Sequence, residues 1–276
     1  MKRAGIRLLR ALGYDVGRLY PGAAVVTRRD GGAPEAKRPE WILEEQRVFE
    51  YLQRTQIPTL LEMYGVNCVI DVGAHAGQYG ERLRAGGYGG RIVSFKPTPD
   101  AFEALEGTTA DDPEWSVHRL ALGREDGATT MNVVPGTLSS LLPPTKFGAG
   151  RYPKLQAAEQ VEVEVRRLDG MLDELLAGLR RPRPFLKLDT QGYDLDVFAG
   201  LGDRTAQFVG IQSEVALMEI YKGMPRMPEA VAAYEAAGFE IAALYPVSRQ
   251  TRTARVLEYD CVMVRASALK KKAAAP

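Results

Sequence analysis

Cysteine is scarce in this chain, which contains only Cys68 and Cys261. Both lie inside apolar stretches of the kind that form buried strands. So few cysteines, so far apart, cannot build a disulfide framework or a short-spaced metal motif. The pattern therefore favours two buried, reduced thiols, and it says little about function.

The chain also lacks an excess of either charge and any long apolar run. With 36 basic and 35 acidic residues it offers no overall field for nucleic acid or a membrane. No apolar run reaches the length of a bilayer span, and basic residues interrupt the first twelve positions, which argues against a secretory leader. The sequence predicts a cytoplasmic protein with no membrane span and no nucleic-acid partner; the oligomeric state stays open.

A sizeable core is available, because 45% of the 276 residues are hydrophobic. Apolar strand-like stretches alternate with helical patterns, and this alternation is typical of a parallel sheet. We predict an α/β fold, doubly wound, with a mostly parallel seven-stranded sheet, a β insertion and N-terminal helices. The predicted strands are residues 66–72, 91–96, 115–121, 184–189, 208–214, 239–246 and 257–265.

Two departures from regular alternation are expected. The last two strands have a short polar connection, which favours antiparallel pairing. Residues 128–135 and 159–168 alternate like exposed strands around a Gly- and Pro-rich stretch, which predicts a β insertion with a mobile loop.

The chain divides into three predicted segments. Residues 1–65 form an N-terminal helical extension, residues 66–268 form one catalytic domain, and residues 269–276 form a disordered basic tail.

A glycine-spaced turn follows the first predicted strand of the sheet. Residues 69–80 read VIDVGAHAGQYG, in which Gly73 and Gly77 let the backbone turn sharply beside a ligand. A dinucleotide site has the spacing G-x-G-x-x-G, whereas here the pattern is D-x-G-x-x-x-G and the middle glycine is missing. The preceding carboxylate, Asp71, suits a ligand with hydroxyls and an amino acid end, such as S-adenosylmethionine. An ordinary tight βα loop is the alternative.

Several motifs in fixed order make the pattern more specific. They are IDVGAHAGQY, SFKP at 94–97, LALGREDG at 120–127, LSSLLP at 138–143, FLKLDTQGYDLDVFAGL at 185–201 and SEV at 213–215. Over residues 66–264 the chain resembles the FkbM-type methyltransferase family, which has the class I methyltransferase, Rossmann-like fold. The resemblance implies S-adenosylmethionine as the cofactor and methyl transfer as the reaction.

Ligands of open α/β sheets bind beyond the carboxyl ends of the strands, so residues there are the candidate site. We expect Asp71 and Gly73 to hold the amino acid end of the cofactor, with loop amides toward Gly77 receiving its carboxylate. Capping of the next helix is the alternative for Asp71. The full predicted set of cofactor-binding residues is Asp71, Gly73, His75, Gly77, Tyr79, Lys96, Pro97, Ala121, Leu122 and Asp189.

Lys96 departs from the resemblance, which implies an acidic residue there. A carboxylate accepts hydrogen bonds from both ribose hydroxyls, whereas an ammonium has donors only. Losing such bonds lowers cofactor affinity by about 10- to 100-fold. Three interpretations stay open: weaker or altered binding, whether natural or introduced; a site for an added phosphate; and a lysine that reaches solvent from a strand end.

The candidate catalytic residues are Asp189, Lys187 and His75. Lys187 and Asp189 are two apart on a strand and so share a face. Asp189 is the first candidate for the base that takes a proton from an acceptor hydroxyl, or for orienting the acceptor; an ion pair with Lys187 is the alternative. His75 is a weaker candidate base, since a loop histidine commonly serves as a hydrogen-bonding filler. His118 is expected to pack in the sheet or line the adenine pocket.

Glu214 closes a predicted strand and is a candidate for lining the acceptor pocket, or for holding a divalent cation with Asp189. Two carboxylates are too few to assign a metal. Acceptor selection is expected in residues 136–154, because loops on a rigid sheet usually carry it.

The predicted function is O-methyl transfer from S-adenosylmethionine to a hydroxyl of a sugar or secondary metabolite, a small-molecule or glycan acceptor. One alternative is a noncatalytic small-molecule-binding protein of the same fold, favoured if Lys96 prevents cofactor binding. Another is a dehydrogenase with a phosphorylated nicotinamide cofactor, which a cation at Lys96 would suit but the missing glycine does not.

Overall fold

The computed structural model describes residues 11–12, 14–20, 23–28 and 40–269. Short 3₁₀ turns occur at Pro153–Ala157, Gly202–Gln207 and Ala266–Ala268. The strands and helices, in chain order, are β1 (Tyr14–Tyr20), β2 (Ala23–Arg28), α1 (Glu40–Met63), β3 (Cys68–Val72), α2 (Gln78–Ala85), β4 (Arg91–Phe95), α3 (Pro99–Thr109), β5 (Trp115–His118), β6 (Ala121–Leu122), β7 (Gly127–Val133), α4 (Lys146–Arg151), β8 (Glu159–Arg166), α5 (Leu172–Leu175), β9 (Pro184–Leu188), α6 (Asp194–Ala199), β10 (Gly210–Ala216), α7 (Met227–Ala236), β11 (Glu240–Arg249) and β12 (Val256–Val264).

Seven strands form the central sheet in the order β11-β12-β10-β9-β3-β4-β5. The five strands from β10 to β5 run parallel, and β12 pairs antiparallel with both β10 and β11. The predicted doubly wound, mostly parallel sheet is therefore confirmed. The chain order reverses between β3 and β9, which is the position at which such sheets bind ligands.

Apolar side chains alternate between the two faces of this sheet and build a core on each. One core combines Ile70 and Leu186 with helices α5, α6 and α7, and includes the fully buried Tyr234. The other combines Val69 and Phe185 with helices α1, α2 and α3. Because the strands are covered on both faces, they consist almost entirely of apolar residues.

The cysteines lie in this buried sheet as free thiols. Cys68 is in β3 and Cys261 is in β12, and both are almost fully buried. Burial raises the pKa of each thiol to about 12, so neither is a ready nucleophile.

The insertion forms a second, three-stranded sheet in the order β6-β8-β7. Its strands β7 and β8 pair antiparallel over seven residues, as the alternating pattern predicts. The stretch 136–154, predicted to be a mobile loop, contains the short helix α4. Ser140 bridges to Asn132, and Pro144 bridges to Tyr221 near the end of β10. These bridges hold the insertion over the carboxyl ends of the central strands.

The segment before residue 66 differs in part from its predicted helical character. Residues 40–63 form one helix, α1, which covers the sheet with Ile57 and Leu61. Strands β1 and β2 pair as an antiparallel hairpin, which corrects the prediction for that part. A β-branched run, VVT at 25–27, and a Pro-Gly pair at 21–22 favour a hairpin there. The predicted basic tail, apart from Leu269, lies outside the described residues.

No helix in the part of the chain that the structure describes combines the length and hydropathy needed to cross a bilayer.

Candidate functional site

A narrow cleft opens at the carboxyl ends of β3, β4 and β9, under the insertion. One part of its wall is apolar and the other carries polar groups. Its free volume is about 60 Å³, room for about two water molecules. The lining residues are Val72, Gly73, His75, Phe95, Lys96, Pro97, Leu120, Ala121, Leu122, Met131, Thr137, Ser139, Leu141, Asp189, Thr190 and Tyr193.

The glycine turn brings β3 and β9 together at this cleft. Gly73 has φ of +86°, and a Cβ there would lie 2.0 Å from the carbonyl oxygen of Asp189. The amides of Gly73 and Ala74 both donate to the carbonyl oxygen of Phe95, at 3.1 Å. His75 adopts φ of +51°, a conformation that Asn, Asp and His tolerate best after glycine. The backbone explains the residue types at both positions.

A buried ion-pair chain links these strand ends. Asp71 and Lys187 are paired in register across β3 and β9, and Lys187 Nζ lies 3.2 Å from Asp71 Oδ1. The same ammonium lies 3.3 Å from Asp189 Oδ2. Asp71 is fully buried, whereas the side chain of Asp189 is 37% exposed. Asp189 is therefore the member of the chain that reaches the cleft.

The protonation states follow from this arrangement. Burial disfavours the ammonium of Lys187, but the charges of Asp71 and Asp189 outweigh it and raise the pKa of Lys187 above its usual value. Burial also opposes ionisation of Asp189, yet Lys187 and a hydrogen bond from Gln191 lower its pKa. Lys187 is charged and Asp189 is ionised at neutral pH.

The structure divides the predicted cofactor residues into two groups. Gly73, His75, Lys96, Pro97, Ala121, Leu122 and Asp189 line the cleft. The others, Asp71, Gly77 and Tyr79, lie behind it, as does the candidate catalytic residue Lys187.

The pleat of β3 explains why Asp71 is behind the cleft. It points to the face covered by α2, opposite Ile70 and Val72. There the Tyr79 ring lies 5.3 Å from Lys187 Nζ, and the Tyr79 hydroxyl donates to Gln212 Oε1 at 3.0 Å. Direct contact of Asp71 with a cofactor stays a prediction, because both its oxygens are buried inside the protein without a hydrogen-bond partner, and Oδ1 faces Lys187.

The two histidines differ in their surroundings. His75 lines the cleft, and its Nδ1 lies 3.2 Å from Gln78 Nε2. His118 is outside the cleft lining and stacks on Phe95, with ring centroids 5.0 Å apart. Burial lowers the pKa of His118. Its position is that of a sheet-packing residue.

Lys96 ends β4 and is only 6% exposed. The interpretation of a lysine that reaches solvent is therefore wrong. Its side chain lines the cleft and makes no hydrogen bond or ion pair with any residue that the structure describes.

Gln191 connects the site to the insertion, and its role gave no signal in the sequence. Its side-chain amide donates to Asp189 Oδ1 at 3.0 Å and to Glu214 Oε2 at 3.3 Å. The Tyr221 hydroxyl lies 3.2 Å from Gln191 Oε1, and Ser140 Oγ donates to the Gln191 carbonyl oxygen at 2.8 Å. Gln191 has φ of +55° and is only 9% exposed. Its side chain and backbone are therefore fixed by these hydrogen bonds.

A second cavity, of about 490 Å³, meets the cleft at Asp189 and Thr137. Half its surface is polar, with carboxylates, hydroxyls and two basic side chains. Its lining residues are Thr137, Leu138, Arg151, Tyr152, Lys154, Asp189, Gln191, Glu214, Val247, Ser248 and Glu258.

Two carboxyl groups of this cavity are hydrogen-bonded to each other. Burial, then the nearby charge of Glu258, raises the pKa of Glu214 well above its usual value. Burial also raises the pKa of Glu258, whose Oε2 accepts a hydrogen bond from Ser248 at 2.7 Å. Burial and mutual repulsion therefore favour protonation of the pair. The sequence pointed to Glu214 but not to Glu258, which lies on the antiparallel strand β12.

A larger groove, of about 1330 Å³, lies elsewhere. It runs between α1 and residues 180–183, at the amino ends of the strands. Because ligands of this sheet type bind at the carboxyl ends, we place the site in the cleft and the second cavity.

Among the described residues, no group of three or more His, Cys, Asp or Glu side chains could hold a metal ion. Asp189 and Glu214 are instead joined through Gln191.

The family to which the chain belongs is shown by a family model. The model of the methyltransferase FkbM domain matches residues 71–241, more than half of the chain. Among solved structures, magnesium protoporphyrin IX methyltransferase from Synechocystis PCC 6803 is similar at a TM-score of 0.43 and 10% identity, covering 84% of this chain and 87% of that one. An rRNA methylase from Streptococcus thermophilus has a TM-score of 0.39 and 11% identity, covering 84% and 98%. No curated protein matches in sequence.

Lys187→Met is expected to lower the free energy of unfolding by about 3–5 kcal/mol, because it leaves the buried carboxylate of Asp71 without a counter-charge. Adding Asp71→Asn should restore part of the loss. Urea denaturation measures both, with the exposed Lys222→Met as the matched control. A double variant no more stable than Lys187→Met would contradict the ion-pair account.

Gln191→Ala is expected to raise the pKa of Asp189, because it removes an amide hydrogen bond that favours the ionised carboxylate. Carboxyl ¹³C NMR titration of labelled protein measures the change. Gln207→Ala, at an exposed position, is the control. An unchanged Asp189 titration in Gln191→Ala would show that this amide does not control the carboxylate.

Proposed function

Because the chain belongs to the FkbM methyltransferase family, we propose that it transfers a methyl group from S-adenosylmethionine to a hydroxyl oxygen of a small-molecule or glycan acceptor. The observation that carries this proposal is the junction at Asp189. There a narrow cleft at the strand ends meets a larger polar cavity, and one ionised carboxylate faces both.

The cleft residues fit an adenosyl cofactor in most respects. The apolar wall of Phe95, Leu120, Leu122 and Met131 suits an adenine ring. Gly73 lines the cleft with its backbone alone, because a Cβ there would meet the carbonyl oxygen of Asp189. Insertion residues at 137, 139 and 141 and the Lys96 side chain line this cleft, so they would contact a bound cofactor.

The second cavity suits the acceptor. Its carboxylates accept hydrogen bonds, and its hydroxyls and basic side chains donate them, which is what a sugar or a hydroxylated secondary metabolite requires. At about 490 Å³ it lies within the range of small-molecule sites.

When bound, the cofactor supplies an activated methyl group. Asp189 accepts the proton of the acceptor hydroxyl, which makes the oxygen a better nucleophile. Lys187 and Gln191 hold one oxygen each of Asp189, so its direction is fixed. The insertion residues Thr137 and Leu141 exclude water from the cleft. His75 is a weaker candidate for the base, because its Nδ1 is engaged by Gln78.

A noncatalytic small-molecule-binding protein is the second candidate. Lys96 favours it, because a charged ammonium cannot accept the hydrogen bonds of ribose. Cytoplasmic location and the absence of a nucleic-acid partner stay predictions from composition.

Purified protein should bind S-adenosylhomocysteine and transfer a labelled methyl group to a hydroxylated acceptor from a sugar and metabolite panel. Asp189→Asn should lower kcat by about 100-fold or more, the usual contribution of a general base, and change the Kd of S-adenosylhomocysteine less than about threefold. Asp203→Asn, at an exposed position, is the control. Cofactor binding with no transfer to any acceptor would favour the noncatalytic candidate, and full activity of Asp189→Asn would exclude this carboxylate as the base.

A further inference from the structure

Lys96 is a buried cation without a bonded partner at a ligand-binding wall. Its backbone amide donates to the His118 carbonyl oxygen at 3.1 Å, which fixes the end of β4. Its side chain is 94% buried and lines the cleft beside Gly73 and Pro97. No carboxylate oxygen of the described residues lies within 4 Å of its amine.

The charged groups around Lys96 do not neutralise it. On β9, Asp189 attracts the ammonium and Lys187 repels it. The two oxygens of Asp189 are already bonded to Lys187 and Gln191. On β3 and its turn, Asp71 is committed to Lys187, and His75 lines the cleft.

The remaining neighbours supply no anion. His118 on β5 stacks on Phe95. The insertion residues of the cleft wall are uncharged, namely Met131, Thr137, Ser139 and Leu141, and Tyr193 contributes a phenol. Asp189 is therefore the one carboxylate among the described residues that line the cleft. Burial lowers the pKa of Lys96, which is what an amine without a counter-ion should show.

The ribose of an adenosyl cofactor presents two hydroxyls that need hydrogen-bond acceptors. An ammonium has three donors and no lone pair, whereas a neutral amine keeps one lone pair and two donors. A neutral amine can accept from one hydroxyl and donate to the oxygen of the other. We propose that Lys96 binds the ribose hydroxyls as a neutral amine, so that cofactor binding releases a proton from Lys96. This inference rests on the proposed function.

Cofactor affinity should therefore depend on pH. Only the neutral amine binds, so below the pKa of Lys96 each unit of rising pH should tighten cofactor binding by about tenfold. Above that pKa the affinity should level off. A carboxylate at position 96, by contrast, would bind ribose without releasing a proton.

The test is calorimetric titration with S-adenosylhomocysteine at pH 7 to 9, in pairs of buffers with different ionisation heats. The wild-type protein should release close to one proton per ligand at the lowest pH, and its Kd should fall as the pH rises. Lys96→Gln, whose amide oxygen accepts at every pH, should release none and bind at least about tenfold tighter at pH 7. Lys96→Arg, which stays charged, should bind at least about tenfold more weakly than wild type.

Lys146→Gln, at an exposed position, is the matched control and should behave as wild type. Adenosine 2′-phosphate against adenosine forms a second arm. A tenfold preference for the phosphate that Lys96→Gln abolishes, together with no proton release when adenosine binds, would show a lysine that stays charged and would overturn the proposal.

Binding of S-adenosylhomocysteine without proton release would overturn this inference alone and leave the proposed function standing. Absence of binding by the wild type and by Lys96→Gln would overturn both. The wild-type measurement decides the point even if a variant fails to fold, and a melting temperature for each variant identifies that case.

Discussion

The ammonium of Lys187, buried between Asp71 and Asp189, is the interaction on which the site depends. It joins β3 to β9 at the position where the chain order of the sheet reverses. A buried charge is costly, and burial raises the pKa of Asp71 although the charge of Lys187 opposes this. Asp71, at one end of this ion-pair chain, is buried inside the protein, whereas Asp189, at the other end, reaches the cleft. The fold thereby holds the Asp189 carboxylate in a fixed direction.

In the same region, backbone contacts and side-chain hydrogen bonds have different roles. Gly73 lets the turn after β3 pack against the carbonyl oxygen of Asp189, which no other residue type permits. Gln191 then ties Asp189 to the insertion through Ser140 and Tyr221. The cover of the cleft and its carboxylate are thus parts of one hydrogen-bonded unit.

Local patterns predicted most of the fold, since buried parallel strands are apolar runs with sharp ends. The sequence predicted the central sheet, the antiparallel pairing of its last two strands and the β insertion. The orientation of Asp71 was missed because the pleat turns alternate residues away from the strand-end cleft. Glu258 was missed because its position opposite Ala216 is set by the register of β12 on β10, which no local pattern encodes. The role of Gln191 was not predicted, because no sequence motif marks a glutamine in a turn that bonds two carboxyl groups.

Lys96 and Lys187 show why residue type alone does not define a site. Lys96 directly follows β4, and Lys187 lies near the carboxyl end of β9. Both side chains are almost fully buried. Lys187 has two carboxylates in contact and is held charged, whereas Lys96 has none and is driven toward its neutral form. The two lysines differ in the number of carboxylates that contact them, not in their burial. Asp189 contacts Lys187 and Gln191, and its position leaves Lys96 without an ion-pair partner among the described residues.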